Sequence, residues 1–249
     1  MVILKQPDEI AKARASNRIV AEVLSVLREK VKPGVTTLEL DQIAERTAEK
    51  RGARPAFKGY RGYPYALCAS VNEEVVHGMP SKRVLLEGDI IGLDFGVYYQ
   101  GFYGDSAITL PVGRVNAGAA RLMEVTEKSL HDAIRQTCAG NRLGDISAAV
   151  QTTVEAAGFS VVRDFVGHGI GRQMHEDPQI PNFGKKGRGI ELKAGMIFAI
   201  EPMVNEGDYR VKILADGWTV VTEDGSLSAH FEHSVAITDN GPEILSRLS

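Results

Sequence analysis

Asp94 and Asp105 stand eleven positions apart, on either side of a tight reversal in a run of strand-forming residues. If the chain reverses at Tyr99-Gln100, the two aspartates are direct cross-strand partners. If it reverses at Gln100-Gly101, they are diagonal neighbours. Either register holds two carboxylates on one face of a sheet. Like charges placed opposite each other on a sheet repel. The arrangement therefore calls for a cation between them, or for a proton on one of them.

The elements that position this pair recur along the chain. Pro7-Asp8-Glu9 opens a helical pattern with Ile19, Val23 and Leu27 on one face, ended by Lys32-Pro33-Gly34. A second helix starts at a capping box, Thr36 with Glu39, and runs to Gly52. A third spans about Ala117 to Thr137, and a fourth runs from near Asp145 to Gly158. Gly34 to Gly52 is eighteen residues, and so is Gly140 to Gly158. Each interval holds a short helix preceded by a longer one. Gly88-Asp89-Ile90-Ile91-Gly92-Leu93-Asp94 is likewise echoed by Gly195-Met196-Ile197-Phe198-Ala199-Ile200-Glu201, with an acid six residues after a glycine. Asp105-Ser106-Ala107 is loosely matched by Glu232-His233-Ser234. Such internal similarity predicts two related halves. Helical runs followed by strands predict an α+β layer. With no linker of low complexity, the two halves read as one intimate domain.

Each half then supplies two acids, Asp94 and Asp105 from the first and Glu201 and Glu232 from the second. A pseudo-two-fold would gather them at the centre. Four buried carboxylates cannot all ionise without compensation, and a divalent metal is the natural counter-charge. His168, between glycines in Gly167-His168-Gly169-Ile170-Gly171, is a fifth candidate ligand. An oxygen-rich set with one imidazole suits Mn²⁺, Fe²⁺, Co²⁺ or Mg²⁺ better than a thiolate zinc site. Five donors exceed the needs of one ion, which points to two metals sharing a hydroxide.

At these residues the chain resembles a type I methionine aminopeptidase, of the metallopeptidase family with the pita-bread fold. The matching segments are Val76-His77-Gly78-Met79-Pro80, Asp94 with Asp105, Gly167-His168-Gly169-Ile170-Gly171 with His175-Glu176, Ile200-Glu201-Pro202-Met203-Val204-Asn205, and Phe231-Glu232-His233-Ser234. The resemblance implies two pseudo-symmetric halves with a curved antiparallel β-sheet backed by helices. It implies a single catalytic domain over residues 1–249, with pseudo-repeats at about 8–113 and 114–245. Asp94, Asp105, His168, Glu201 and Glu232 would bind two divalent ions (Co, Mn, Fe, Zn or Ni), with Asp105 and Glu232 bridging. The reaction implied is metal-dependent removal of an N-terminal methionine through a hydroxide that bridges the ions. Glu201 would be the proton shuttle and His175 the group that polarises the scissile carbonyl. His77 would contact the amide nitrogen or the next residue. Tyr60, Tyr63, Cys68 and Trp218, with Phe57, resemble the wall of the methionine pocket. Met174 falls where the family often has an aromatic residue. Asn72 and Ser228 match a monovalent-cation site. His230 shares a face with Glu232 by alternation, either beside the ligands or solvated, and His131 reads as a surface residue.

The 31 residues from Glu201 to Glu232 leave no room for the helical insertion of the type II enzymes. The nearest rivals, aminopeptidase P and prolidase, share the ligands but carry an additional N-terminal domain. Bulk properties narrow the partners. The net charge of −3 gives no electrostatic case for nucleic acid or an anionic membrane. No apolar run nears the ~18 residues that suggest a membrane span. Two cysteines, Cys68 and Cys138, without a CxxC spacing fit a reducing, cytoplasmic setting. The expected partners are peptide and nascent-protein N-termini that begin with Met, with transient ribosome association and a monomeric state.

Overall fold

The computed structural model describes residues 2–248. Its helices are α1 (Pro7–Lys30), α2 (Thr37–Lys50), α3 (Ala117–Gln136) and α4 (Leu143–Ala156). The strands of the first half are β1 (Arg54–Pro55), β2 (Leu67–Val71), β3 (Glu74–Val76), β4 (Ile90–Tyr99) and β5 (Phe102–Pro111). Those that follow α4 are β6 (Ser160–Val161), β7 (Gly167–Gly169), β8 (Glu176–Ile180), β9 (Ile197–Ile200) and β10 (Met203–Asn205). The last are β11 (Val211–Ile213), β12 (Val220–Thr222), β13 (Ser228–His230), β14 (Glu232–Thr238) and β15 (Gly241–Ile244).

The main sheet runs in the order β1-β4-β5-β14-β9-β7-β8, with β2 also on β4 and β15 on β14. Its pairings are antiparallel. Leu67, Leu93, Phe95 and Val97 pack from the helix-covered face into a core shared with Val20, Val23 and Leu27 of α1 and Leu40 and Ala44 of α2. Phe198, Ile200, Val235 and Ile237 do the same against Leu122 and Leu130 of α3 and Ile146 and Val150 of α4. The strands alternate because they have a helix-covered side and a cavity side.

The internal repeat is visible in the backbone. Gly34 N–H donates to Leu85 O at 2.9 Å, and Gly140 N–H donates to Leu192 O at 2.9 Å. Thr37 N–H to Arg83 O is matched by Leu143 N–H to Ile190 O. The Glu39 carboxylate caps Thr36 N–H, and the Asp145 carboxylate caps Arg142 N–H. Gly88 and Gly195 both take a left-handed conformation, at φ 95° and 92°. Two pseudo-symmetric halves thus stand side by side, and they meet where β5 pairs with β14, Ala107 opposite Glu232 and Ser106 opposite His233.

The reversal after β4 falls at Gln100-Gly101, both with positive φ (51° and 87°), as a two-residue primed turn requires. Asp94 therefore pairs with Ala107 and Asp105 with Gly96. The aspartates are diagonal neighbours on one face.

Helix α1 lies directly across β5 at Gly104. A Cβ there would sit 2.7 Å from Asn17 N and 2.8 Å from Ser16 C. Backbone cannot yield as a side-chain tip can, so Gly104→Ala is expected to cost about 1–3 kcal/mol of stability. Chemical unfolding of the purified variant checks this, and an unchanged midpoint would show that α1 moves aside freely.

Candidate active site

Each acid reaches the cavity by a separate strand. The register sets Cys68, Asp94, Ala107 and Glu232 in one row across β2, β4, β5 and β14. Small Ala107 between two acids leaves space for whatever neutralises them. Asp105 lies one strand pair along, opposite Gly96. His168 on β7 pairs with Ala199 on β9, and Glu201 follows the end of β9. All five line one cavity of about 660 Å³, counted with its open mouth.

The junction of the halves is fastened by hydroxyls. Ser106 Oγ donates to Glu232 O at 2.6 Å, and Ser234 Oγ donates to Asp105 O at 2.9 Å. Thr109 Oγ1 donates to His230 O at 2.7 Å and accepts from His230 N at 2.9 Å. The backbone carbonyl of each central acid is thus gripped by a serine from the other half. Asn17 of α1 adds a contact, its Oδ1 accepting from Asp105 N at 3.2 Å. Nothing in the sequence pattern singled out these serines, because hydroxyls on strands are common and their partners lie over a hundred positions away.

The side chains at the centre lack partners. Asp94 Oδ1, Asp105 Oδ1 and Glu232 Oε1 are buried and make no hydrogen bond. Burial, together with the neighbouring carboxylates, pushes Asp105 well above the usual carboxylate range. Burial first, then adjacent acids, does the same for Glu201 and Glu232. Burial also raises Asp94, to about 7. His168 Nδ1–H donates to Gly169 O at 2.9 Å, which leaves the Nε2 lone pair facing the acids. That nitrogen is 3.6 Å from Glu201 Oε1 and 4.0 Å from Asp105 Oδ2. Burial lowers the His168 pKa to about 3, so the ring is neutral. Donor atoms of Asp105, His168 and Glu232 lie within 4.8 Å of one another. Orphaned carboxylate oxygens around a correctly turned imidazole fit a divalent metal, and the donor types agree with its chemistry.

Histidines and an apolar wall complete the cavity. His77 is held at φ 60°, with its ring edge against Phe165 and Trp218. His175 is exposed at the mouth, its ring centre 4.3 Å from that of His168 and tilted 44° to it. Its loop is tied to the N-terminal segment by two ion pairs, Lys5 with Glu176 and Glu9 with Arg172. Phe57, Tyr63, Cys68 and Met174 form a buried cluster, with Tyr60 and Trp218 packed against it. Gly96 is what admits Phe57 there, since a Cβ would lie 2.8 Å from its ring. Met174 is buried within this wall.

Some residues were left open by the sequence or misplaced by it. His230 is buried, not solvated, with Nε2 unpartnered and 3.7 Å from Glu201 Oε2. Strand alternation gave its face, but burial depended on β13 pairing with β10, where His230 stands opposite Met203. His131 is half-buried and faces His233 at 6.1 Å, because α3 packs onto β14. Asn72 spends its side chain on Asp89 and Ile90 N–H, and Ser228 Oγ donates to Asn205. Arg61, inside the Tyr60-Arg61-Gly62-Tyr63-Pro64 segment that resembles the pocket wall, also lines the cavity.

Residues 11–239 match the model of metallopeptidase family M24. A methionine aminopeptidase of Clostridium perfringens is 56% identical over 245 residues, 98% of each chain. Methionine aminopeptidase 1 of Bacillus subtilis is 53% identical over 248 residues, 100% of each chain. The crystal structure of the Thermotoga maritima methionine aminopeptidase superposes with a TM-score of 0.98 at 51% identity, covering both chains fully. A prolidase of Pyrococcus horikoshii, 19% identical, reaches 0.80 with 65% of its length covered, which shows the shared pita-bread fold. The chain belongs to metallopeptidase family M24. Within that family it falls among the methionine aminopeptidases of type I.

The raised carboxyl groups give a pH-dependent expectation. A group with a pKa near 7 is partly protonated at neutral pH, and a metal requires it ionised. Loading with a divalent ion at pH 6.5–7 should therefore release protons, and affinity should tighten as pH rises through about 7. Calorimetric titration in two buffers of different ionisation enthalpy counts those protons. Metal uptake with no proton release would mean that the acids are already ionised.

Proposed function

We propose that this protein removes the N-terminal methionine from peptides and nascent proteins by hydrolysing the first peptide bond. The observation that carries this is one cavity where five metal-type donors, two further histidines and a sulfur-and-aromatic wall converge. Asp94, Asp105, His168, Glu201 and Glu232 would hold two divalent ions. Asp105, His168 and Glu232, whose donor atoms lie within 4.8 Å of one another, would form the centre of that set, and this grouping supports a shared role for Asp105 and Glu232. Asp94, outside that closest group, would serve mainly one ion. Co, Mn, Fe, Zn or Ni suits the donor set. When bound, such ions supply a Lewis acid and lower the pKa of a water to about 7.

The residues divide the remaining work. The wall formed by Phe57, Tyr63, Cys68, Met174 and Trp218 takes a flexible thioether side chain, with polarisable contacts. An unblocked amine brings positive charge to the acid-lined side of the cavity. His175 donates a hydrogen bond to the carbonyl oxygen as negative charge gathers there. His77 contacts the amide nitrogen or the following residue. Water adds to the carbonyl carbon and the C–N bond breaks. Glu201 takes the water's proton and passes it to the leaving amine.

The catalytic domain is read as residues 1–249, with pseudo-repeats at 8–113 and 114–245 that the paired backbone hydrogen bonds support. A monovalent cation near Asn72 and Ser228 would depend on backbone carbonyls, because both side chains have protein partners. Among the described residues no helix is long and apolar enough to cross a membrane. Both cysteines are unpaired, which supports a reducing cytoplasm. Acting on nascent chains would entail transient ribosome contact, and the monomer is taken as the working unit.

Side-by-side assay of Met-Gly-Met-Met and an x-Pro peptide should show release of Met alone, lost on chelation and restored by added divalent ion. Undiminished activity after full chelation would overturn the metal reading, and preference for x-Pro would favour the prolidase relatives. Glu201→Gln should lower kcat by roughly 10²–10⁴ while far-UV circular dichroism is unchanged. Near-normal turnover in that variant would remove its role as shuttle.

A further inference from the structure

Residues 59–62 form an unusual turn. Gly59, Arg61 and Gly62 all have positive φ, at 84°, 50° and 92°. For Arg61, a residue with a Cβ, that conformation is strained and persists only when its surroundings hold it. They do: Gly59 N–H donates to Tyr63 O at 2.7 Å, and Tyr60 N–H donates to Phe57 O at 2.8 Å. The product of the strain is the placement of Tyr60. Its ring stacks on His175 at 5.4 Å and 24°, and its hydroxyl lies 2.8 Å from His175 Nδ1. The Arg61 guanidinium sits 5.3 Å from the Tyr60 ring centre. Next to His175 on the inner side comes His168, at 4.3 Å.

We propose that Tyr60 is a positioning residue for His175, in addition to walling the pocket. Its O–H donates to Nδ1, which puts the one ring proton of neutral His175 on Nε2. A phenol is a better donor than acceptor, and an sp² imidazole nitrogen is the better acceptor of the two, so this direction is favoured. Nδ1 is taken by Tyr60, which leaves Nε2–H as the group His175 can offer to the cavity it lines. A carbonyl oxygen gathering negative charge needs a donor there. The opposite tautomer would present a lone pair to it and repel it. The stacked ring fixes the plane of the imidazole, and the hydroxyl fixes its proton. The same side chain that borders the methionine pocket therefore sets the state of the histidine beside it.

The catalytic consequence rests on the proposed role of His175, whereas the tautomer itself does not. Nitrogen-15 NMR of the histidine rings in the zinc-loaded protein reads the tautomer directly, with His175→Ala assigning the signal. The expected spectrum has Nδ1 unprotonated and hydrogen-bonded, and Nε2 protonated. Tyr60→Phe keeps the ring and the stack, and should lose that hydrogen-bonded Nδ1 signature. Its kcat on Met-Gly-Met-Met should fall roughly 10- to 100-fold, with KM within about twofold. Adding Tyr60→Phe to His175→Ala should change kcat little, since the two act as a unit. A protonated Nδ1 in the unaltered protein, or Tyr60→Phe with full kcat, would overturn the proposal. If the unaltered enzyme released no Met, the functional reading would fail while the NMR still decided the tautomer.

Discussion

Four carboxylates and an imidazole share one cavity sheltered from water, and most of the architecture answers the repulsion this creates. Removing a single carboxylate from water costs several kcal/mol even after relaxation. Without a cation the chain can reduce that cost only by retaining protons, which is why all four acids are displaced upward. A cation ends the conflict and turns the same residues into ligands. The site is thus poised by its own instability: its oxygens are kept unpartnered so that a metal satisfies them. Hydrogen bonds from the protein to those oxygens would stabilise the empty fold and weaken the metal.

That poise has a mechanical requirement. Acids that repel one another must be held by something other than their side chains. The sheet provides it through backbone. Ser106 and Ser234 grip the carbonyls of Glu232 and Asp105 across the junction, and Thr109 clasps His230 at both its amide and its carbonyl. Helix α1 supports the same strand from behind through Asn17, with Gly104 allowing the close approach. The polar clamps act on the main chain while the carboxylate oxygens remain free. The hydroxyls meet at the pseudo-two-fold seam, where the carbonyls of Asp105 and Glu232 are each secured by a serine of the other half.

The cavity's other wall follows a different logic. A thioether side chain is recognised by polarisable, apolar contact, and Gly96, opposite Asp105, lets Phe57 and Met174 pack into that wall. The pocket and the acids are neighbours because β4 carries Gly96 two residues after Asp94. Binding the side chain and presenting the peptide bond are geometrically one event. Tyr60, at the boundary between them, touches both the apolar cluster and His175.

By itself the sequence determined a great deal here. Helix starts were written in local chemistry, such as Thr36 with Glu39, and local hydrogen bonding fixed them in the structure. The repeat was legible because matched glycines mark chain reversals that few other residues permit. The acids, His168 and the pocket residues were legible as types in order, since each half carries two acids on or beside an apolar, strand-forming run. The tertiary structure alone decided the rest. It chose the Gln100-Gly101 turn and so made the aspartates diagonal, a one-residue difference that periodicity cannot resolve. It buried His230 and half-buried His131, because exposure is set by elements distant in the chain. It brought the Tyr60 hydroxyl to His175 across 115 positions, and Ser234 to Asp105 across 129. Local patterns encode which face a residue takes, while its partner across the fold depends on how separate elements pack.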